Sequence, residues 1–182
     1  MLHAASLVPV ELWVAPSLDR DVFLELKGRV GLELRGKRGD DLGARMLHAV
    51  SLTLKVGDVD AVVLLGTDCP QLSRDHLEHV LLGLRTQDAV LVPAADGGYV
   101  LLGLRRVHRC LFQDIPWSTD RVAPLTRERL WGLGWVWSEL EALAHIDRPE
   151  DLKLLPPDLA LFRPEPGPGS QNGPLKHLFT LR

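Results

Sequence analysis

Residues Ala61–Leu104 read AVVLLGTDCPQLSRDHLEHVLLGLRTQDAVLVPAADGGYVLLGL, and this stretch sets the architecture of the chain. Two runs rich in β-branched residues, Ala61–Leu65 and Ala89–Pro93, flank a segment in which Leu77, Val80, Leu81 and Leu84 recur at the spacing of one helix face. The stretch is therefore a strand, a helix and a strand. Both runs are apolar at successive as well as alternate positions, as parallel strands covered on both faces are. Such strands end at a crevice where ligands bind. Behind the first run stands Gly66-Thr67-Asp68-Cys69-Pro70 and behind the second Asp96-Gly97-Gly98-Tyr99, so the chemistry is sought there.

On the N-terminal side, Val10–Pro16 reads as a strand stopped by its proline, and Asp19 can cap a helix in which Val22, Phe23 and Leu26 share a face. Val30–Leu34 alternates as a second strand. It leads through Arg35-Gly36-Lys37-Arg38-Gly39 to a helix with Leu42, Met46, Ala49, Val50 and Thr53 on one side and either Asp40 or Asp41 as its cap. On the C-terminal side, Tyr99–Leu104 is another strand. Ser118 or Thr119 opens the next helix, with Pro124 set deeper than the first turn, where proline is tolerated, unless the helix is kinked. Gly132 and Gly134 end it. A last strand falls within Trp135–Leu143 and a short helix within Ile146–Leu155. Alternating strands and helices predict an α/β fold, a three-layer α/β/α sandwich around a mainly parallel sheet. Residues 1–155 form this domain, and the Pro/Gly-rich residues 156–182 read as a flexible or loosely docked tail.

A chain of 182 residues with 46% hydrophobic content can bury one substantial core. With 24 acidic against 21 basic residues and a net charge of -3, there is no electrostatic footprint for nucleic acid or an anionic membrane. No apolar run reaches the length of a membrane span, and the N-terminus lacks the basic and apolar parts of a secretion signal. Two cysteines, Cys69 and Cys110, are too few for a disulfide-stapled domain, so a cytoplasmic location is expected.

Asp68, between a buried strand and a proline, suits a hard divalent cation, because Mg²⁺ favours one or two carboxylates together with substrate phosphates. The other reading makes it a helix cap, a role for which Ser73 is better placed. Asp96-Gly97-Gly98 is either a tight turn or a loop whose amides approach a ligand. His76 and His79 lie one helical turn apart, with no third ligand at useful spacing, and read as a solvated face. Cys69 has no histidine base fixed near it and reads as a small buried residue. The five tryptophans read as core or rim packing, with Trp117 the one placed to line a site.

Taken together, Gly66-Thr67-Asp68-Cys69-Pro70, Asp96-Gly97-Gly98-Tyr99 with Gly103-Leu104, Pro116-Trp117-Ser118-Thr119 and Ile146-Asp147-Arg148-Pro149-Glu150-Asp151-Leu152 occur in the order and spacing of a known group. The chain resembles a bacterial glycosyltransferase-like family long catalogued as a domain of unknown function. That family is similar to the phospholactate guanylyltransferases of deazaflavin cofactor synthesis, within the nucleotide-diphospho-sugar transferase superfamily. Asp41-Leu42-Gly43-Ala44-Arg45-Met46 is a further match, and the resemblance covers roughly Val10 to Leu152.

The resemblance implies a glycosyltransferase type A, Rossmann-like fold and a metal-dependent transfer at a nucleotide-linked phosphate or sugar, glycosyl or nucleotidyl, to a small acceptor. It implies that Asp68 holds Mg²⁺ or Mn²⁺ on the diphosphate, that Asp147 completes the metal site, and that Asp96, Gly97 and Gly98 position acceptor or sugar. Asp41 and Arg45 then contact the same pocket, or serve as helix cap and surface arginine. His145 departs from the family, which usually has an acidic residue there. A second departure is larger. Family members begin with a strand and a glycine-rich basic loop that grips the nucleotide, and no such segment stands ahead of Val10. By analogy that strand lies beside Ala61–Leu65, so Val10–Val14 is expected to pair there directly or to leave a buried edge unpaired. A fragment, a mis-started reading frame or a degenerate relative would each fit, and the alternative function is a non-catalytic binding protein or remnant.

Overall fold

The computed structural model describes residues 6–14, 21–66, 69–144 and 178–181. Its elements in chain order are β1 (Val10–Val14), α1 (Asp21–Val30), β2 (Glu33–Gly36), α2 (Leu42–Thr53), β3 (Val62–Leu65), α3 (Arg74–Gly83), β4 (Ala89–Pro93), β5 (Tyr99–Leu104), a 3₁₀ turn (Arg109–Leu111), α4 (Val122–Gly132), β6 (Trp137–Glu139) and β7 (Leu178–Leu181). The strands form one sheet in the order β2-β1-β7-β3-β5-β4-β6.

Five strands, β1, β2, β3, β4 and β6, point the same way, as a mainly parallel sheet requires, while β5 and β7 run against them. Because both reversed strands are internal, four of the six ladders are antiparallel (β1·β7, β3·β7, β3·β5 and β4·β5). Side-chain alternation then splits the core in two. Val10, Leu12, Val14, Val63, Leu65, Val90 and Val92 face Phe23 of α1 and Leu77, Val80 and Leu84 of the α3 region. Trp13, Val62, Leu64, Leu91, Leu102 and Leu104 face Met46, Ala49 and Val50 of α2 and Leu130 of α4. The result is three layers.

Local chemistry explains most boundaries. Asp41 caps α2, its carboxylate accepting from the Ala44 amide at 2.7 Å. Ser73 caps α3 in a capping box completed by His76, whose Nδ1 accepts from the Ser73 amide at 3.1 Å. α1 runs on through Val30 and is stopped by Gly31, at φ +69, so β2 begins at Glu33 rather than at Val30. α4 begins at Val122, later than Ser118 or Thr119, because Ser118 takes φ 67 and the Thr119 hydroxyl turns back to the Pro116 carbonyl at 2.7 Å. Pro124 then sits at the third helical residue, where its missing N–H removes no intrahelical bond. Asp19 and the helix expected over Ile146–Leu155 lie outside the described residues, as do the side chains of Val22 and Leu26.

The largest difference from the sequence reading concerns the tail. Leu178–Leu181 is β7, paired antiparallel with β1 on one side and β3 on the other. The position beside β3 is therefore filled from the C-terminal end. Neither expected outcome, a direct β1·β3 pairing or a bare edge, is observed, because β7 supplies the amides and carbonyls that both neighbours need.

Candidate functional site

The C-terminal ends of β1, β2, β3 and β4 and the start of β5 lie along one edge of the sheet. At the end of β3 the Gly66 amide donates to the Val100 carbonyl at 3.0 Å, tying this end to the residue after Tyr99. Asp68 and Asp147 lie outside the described residues, but their chain neighbours are brought together. The Cys69 thiol donates to the Ala144 carbonyl at 3.4 Å, and the Gln71 side-chain oxygen accepts from the Ala144 amide at 3.0 Å. Leu143 is held against the end of β4, its amide donating to Pro93 at 3.0 Å and its carbonyl accepting from Ala95 at 2.9 Å. The segment that continues to Asp147 thus starts beside the loop that carries Asp68. Buried Cys69 makes this contact as a structural thiol.

The Asp96–Gly98 loop is a built turn. The Asp96 carboxylate accepts from the Gly98 amide at 2.9 Å, and Gly97 takes φ +88. A side chain at Gly97 would meet the Asp120 backbone at 2.4 Å, and the Gly97 carbonyl accepts from the Ala123 amide of α4 at 2.8 Å. The turn closes a hairpin and satisfies an amide in the first turn of α4. Beside it, Tyr99 stands edge-on to Trp117, ring centroids 6.4 Å apart, with its hydroxyl 3.6 Å from the Met46 sulfur. Burial pushes the Tyr99 phenol above its ordinary range. Trp117 in turn lies against the start of α2: a Cβ on Gly43 would sit 2.7 Å from the indole nitrogen and 2.0 Å from the Phe112 carbonyl. Arg129 stabilises the approach to Trp117, donating to the carbonyls of Cys110 and Gln113 and, at 3.1 Å, of Asp114.

The structure thus joins Gly97, Gly98 and Trp117 to the helix start that carries Asp41. Arg45 donates through Nε to the Gly39 carbonyl at 3.0 Å, which fixes the loop after β2. That loop holds residues the sequence reading passed over. The Lys37 ammonium is lowered from 10.5 to about 8, first by burial and then by the neighbouring Arg45 guanidinium. His48, edge-on to Trp13 at 5.6 Å, is lowered by burial and by Arg38, and its Nδ1 is buried without a hydrogen-bond partner among the described residues. Lys37, Arg38 and Arg45 therefore concentrate positive charge at the site edge. The signal was present in the sequence as a glycine-flanked basic run, Arg35-Gly36-Lys37-Arg38-Gly39, at a strand end.

Among the described residues no group of three or more His, Cys, Asp or Glu side chains is arranged to hold a metal ion. His76 completes the capping box through Nδ1, and the His79 Nδ1 lies 2.7 Å from the Asp75 carbonyl. No described helix is long and apolar enough to cross a membrane.

No curated protein matches the chain. Among solved structures it is similar to a crystal structure from Desulfovibrio desulfuricans, of a protein provisionally described as a nucleotide-diphospho-sugar transferase, with a TM-score of 0.68 and 29% identity. The likeness covers 75% of this chain, which spans 60% of that one. The fold is the Rossmann-like, type A fold of nucleotide-sugar transferases. The model of the family described as "Uncharacterized protein conserved in bacteria (DUF2064)" matches residues 1–119, and the chain belongs to that family.

Proposed function

We propose that the chain is a metal-dependent transferase that moves a glycosyl or nucleotidyl group from a nucleotide-linked donor to a small acceptor in the cytoplasm. The observation that carries this reading is the clamp on Ala144 by Cys69 and Gln71. It holds Ala144, three residues before Asp147 in the chain, against Cys69, which follows Asp68, at the edge where ligands of such sheets bind. The provisional description of the D. desulfuricans protein supports the same donor class.

Mg²⁺ and Mn²⁺ favour one or two carboxylates together with substrate phosphates, so Asp68 and Asp147 would hold the ion. Bound there, the cation would neutralise charge on the diphosphate. The chain's own residues position the reactants. Lys37, Arg38 and Arg45 attract an anionic donor to the edge and orient it. Trp117, pinned between Tyr99 and Gly43, offers an aromatic wall. The Asp96–Gly98 turn, rigid through its own hydrogen bonds and its hold on α4, bounds the acceptor side.

Calorimetric titration with a panel of nucleotides and nucleotide sugars, with Mg²⁺ or Mn²⁺ and then with chelator, tests the reading. Binding of one donor that is lost on chelation is the expected result. A folded chain that binds none of them contradicts it.

A further inference from the structure

Among the described residues, Asp114 and Ser118 are the non-glycine residues at positive φ, 53 and 67. A Cβ disfavours that conformation, so it persists where the surroundings impose it. The two bracket Ile115-Pro116-Trp117, and each side of the bracket has its own restraint. On the later side the Thr119 hydroxyl donates back to the Pro116 carbonyl at 2.7 Å. On the earlier side the restraint is Arg129, whose guanidinium donates to the carbonyls of Cys110 and Gln113 and, at 3.1 Å, of Asp114 itself.

Three carbonyls converging on one guanidinium use the planar fork that arginine has and lysine lacks. Among the described residues Arg129 has no carboxylate partner, so its hold is on the backbone. That hold is anchored at both ends. Leu130, beside it on α4, is fully buried, and the first turn of α4 is fastened to the Gly97 carbonyl. At the other end Ile115 is buried, and the Phe112 carbonyl and the Trp117 indole close on Gly43, leaving no room for a Cβ there. The placement of the indole at the start of α2 therefore depends on a backbone course that Arg129 fixes.

We propose that Arg129 is a positioning residue for the ligand site, acting through Trp117: it holds the Asp114–Ser118 segment so that the indole stands as a preformed wall. This rests on the transferase reading, in which Trp117 lines the site. Without Arg129 the segment relaxes from positive φ, and the indole must be ordered anew when a ligand binds, which weakens affinity.

The test labels the full chain with fluorotryptophan and assigns the Trp117 fluorine resonance by its loss in Trp117→Phe. Arg129→Ala is expected to shift or broaden that resonance, while the resonance of buried Trp13, assigned by Trp13→Phe, stays in place. Donor affinity is expected to fall about tenfold. Arg129→Lys keeps the charge without the fork and should show the same changes in smaller measure, and it carries the test if the alanine variant does not fold. A role in stability alone would lower the melting temperature and leave the Trp117 resonance of the folded chain unmoved, and that result overturns the proposal. So does a donor that native and variant chains bind with equal affinity. If no nucleotide or nucleotide sugar binds the native chain, the transferase reading fails, whereas the fluorine spectra decide by themselves whether Arg129 places the ring.

Discussion

The carboxylate of Glu11, 1% exposed on β1, accepts from the Trp13 indole at 3.1 Å and lies 3.0 Å from the Thr53 hydroxyl and 3.5 Å from an Arg35 nitrogen. Glu11→Ala leaves the buried Trp13 indole without its acceptor, while Thr53 keeps the Ala49 carbonyl and Arg35 keeps Glu33, and should cost about 2 kcal/mol of stability in urea unfolding. Lys37 makes a different kind of prediction. Its folded value, about 8, lies below the unfolded 10.5, so between those values the unfolded chain binds more protons. The cost of its charge to folding is present in full below pH 8 and is relieved as pH rises through that window, giving a gain in stability that Lys37→Met should abolish. A phosphate bound beside Lys37 favours the charged form. Donor affinity measured on either side of pH 8 should therefore fall with rising pH in the native chain and not in Lys37→Met. The candidate residues were legible by type, less so by role. Asp41 and the Asp96–Gly98 turn have local hydrogen bonds that account for their conformations, and sequence alone does not separate a capping carboxylate from a ligand-binding one. Lys37 escaped notice because its character comes from burial and from Arg45, neither of which is visible in a basic run.

Elements with strong local signals were readable, the strands β3, β4 and β5 to within a residue. β3, α3, β4 and β5 follow from periodicity and from the Ser73 cap, and apolar runs flanked by glycine and proline bounded them. The shifts occurred where a backbone conformation overrode the pattern: α1 ends only at Gly31, at the expense of β2, and Ser118 delays α4. Gly97 ties two elements together, since its positive φ turns the β4–β5 hairpin and its carbonyl holds α4. Gly97→Ala combines backbone strain with a clash against Asp120 and should destabilise by roughly 3 kcal/mol, read as a lowered urea midpoint. An unchanged midpoint would mean that the hairpin and α4 are not coupled through this residue.

At the scale of the whole molecule, the sequence pointed to a strand position beside β3 but not to its occupant. Four residues at the end of a Pro/Gly-rich tail carry too little periodicity to announce a central strand, and the pairing is long-range. Thr180 lies opposite both Glu11 and Leu64, so Thr180→Pro removes a ladder donor from the middle of the sheet and should cost on the order of 3 kcal/mol. Amide exchange at 178–181 should be as slow as in β3. Unprotected amides would show that β7 does not hold the sheet together. The site depends on that sheet, because β1 and β2 lead to the cationic loop while β3 leads to Asp68. Its most direct test is Asp68→Asn, titrated with the bound donor and Mg²⁺ beside the native chain. Loss of the divalent-dependent binding with an unchanged melting temperature is the predicted result. Undiminished binding together with a large loss of stability would make Asp68 a structural residue and contradict the assignment of this edge as the site.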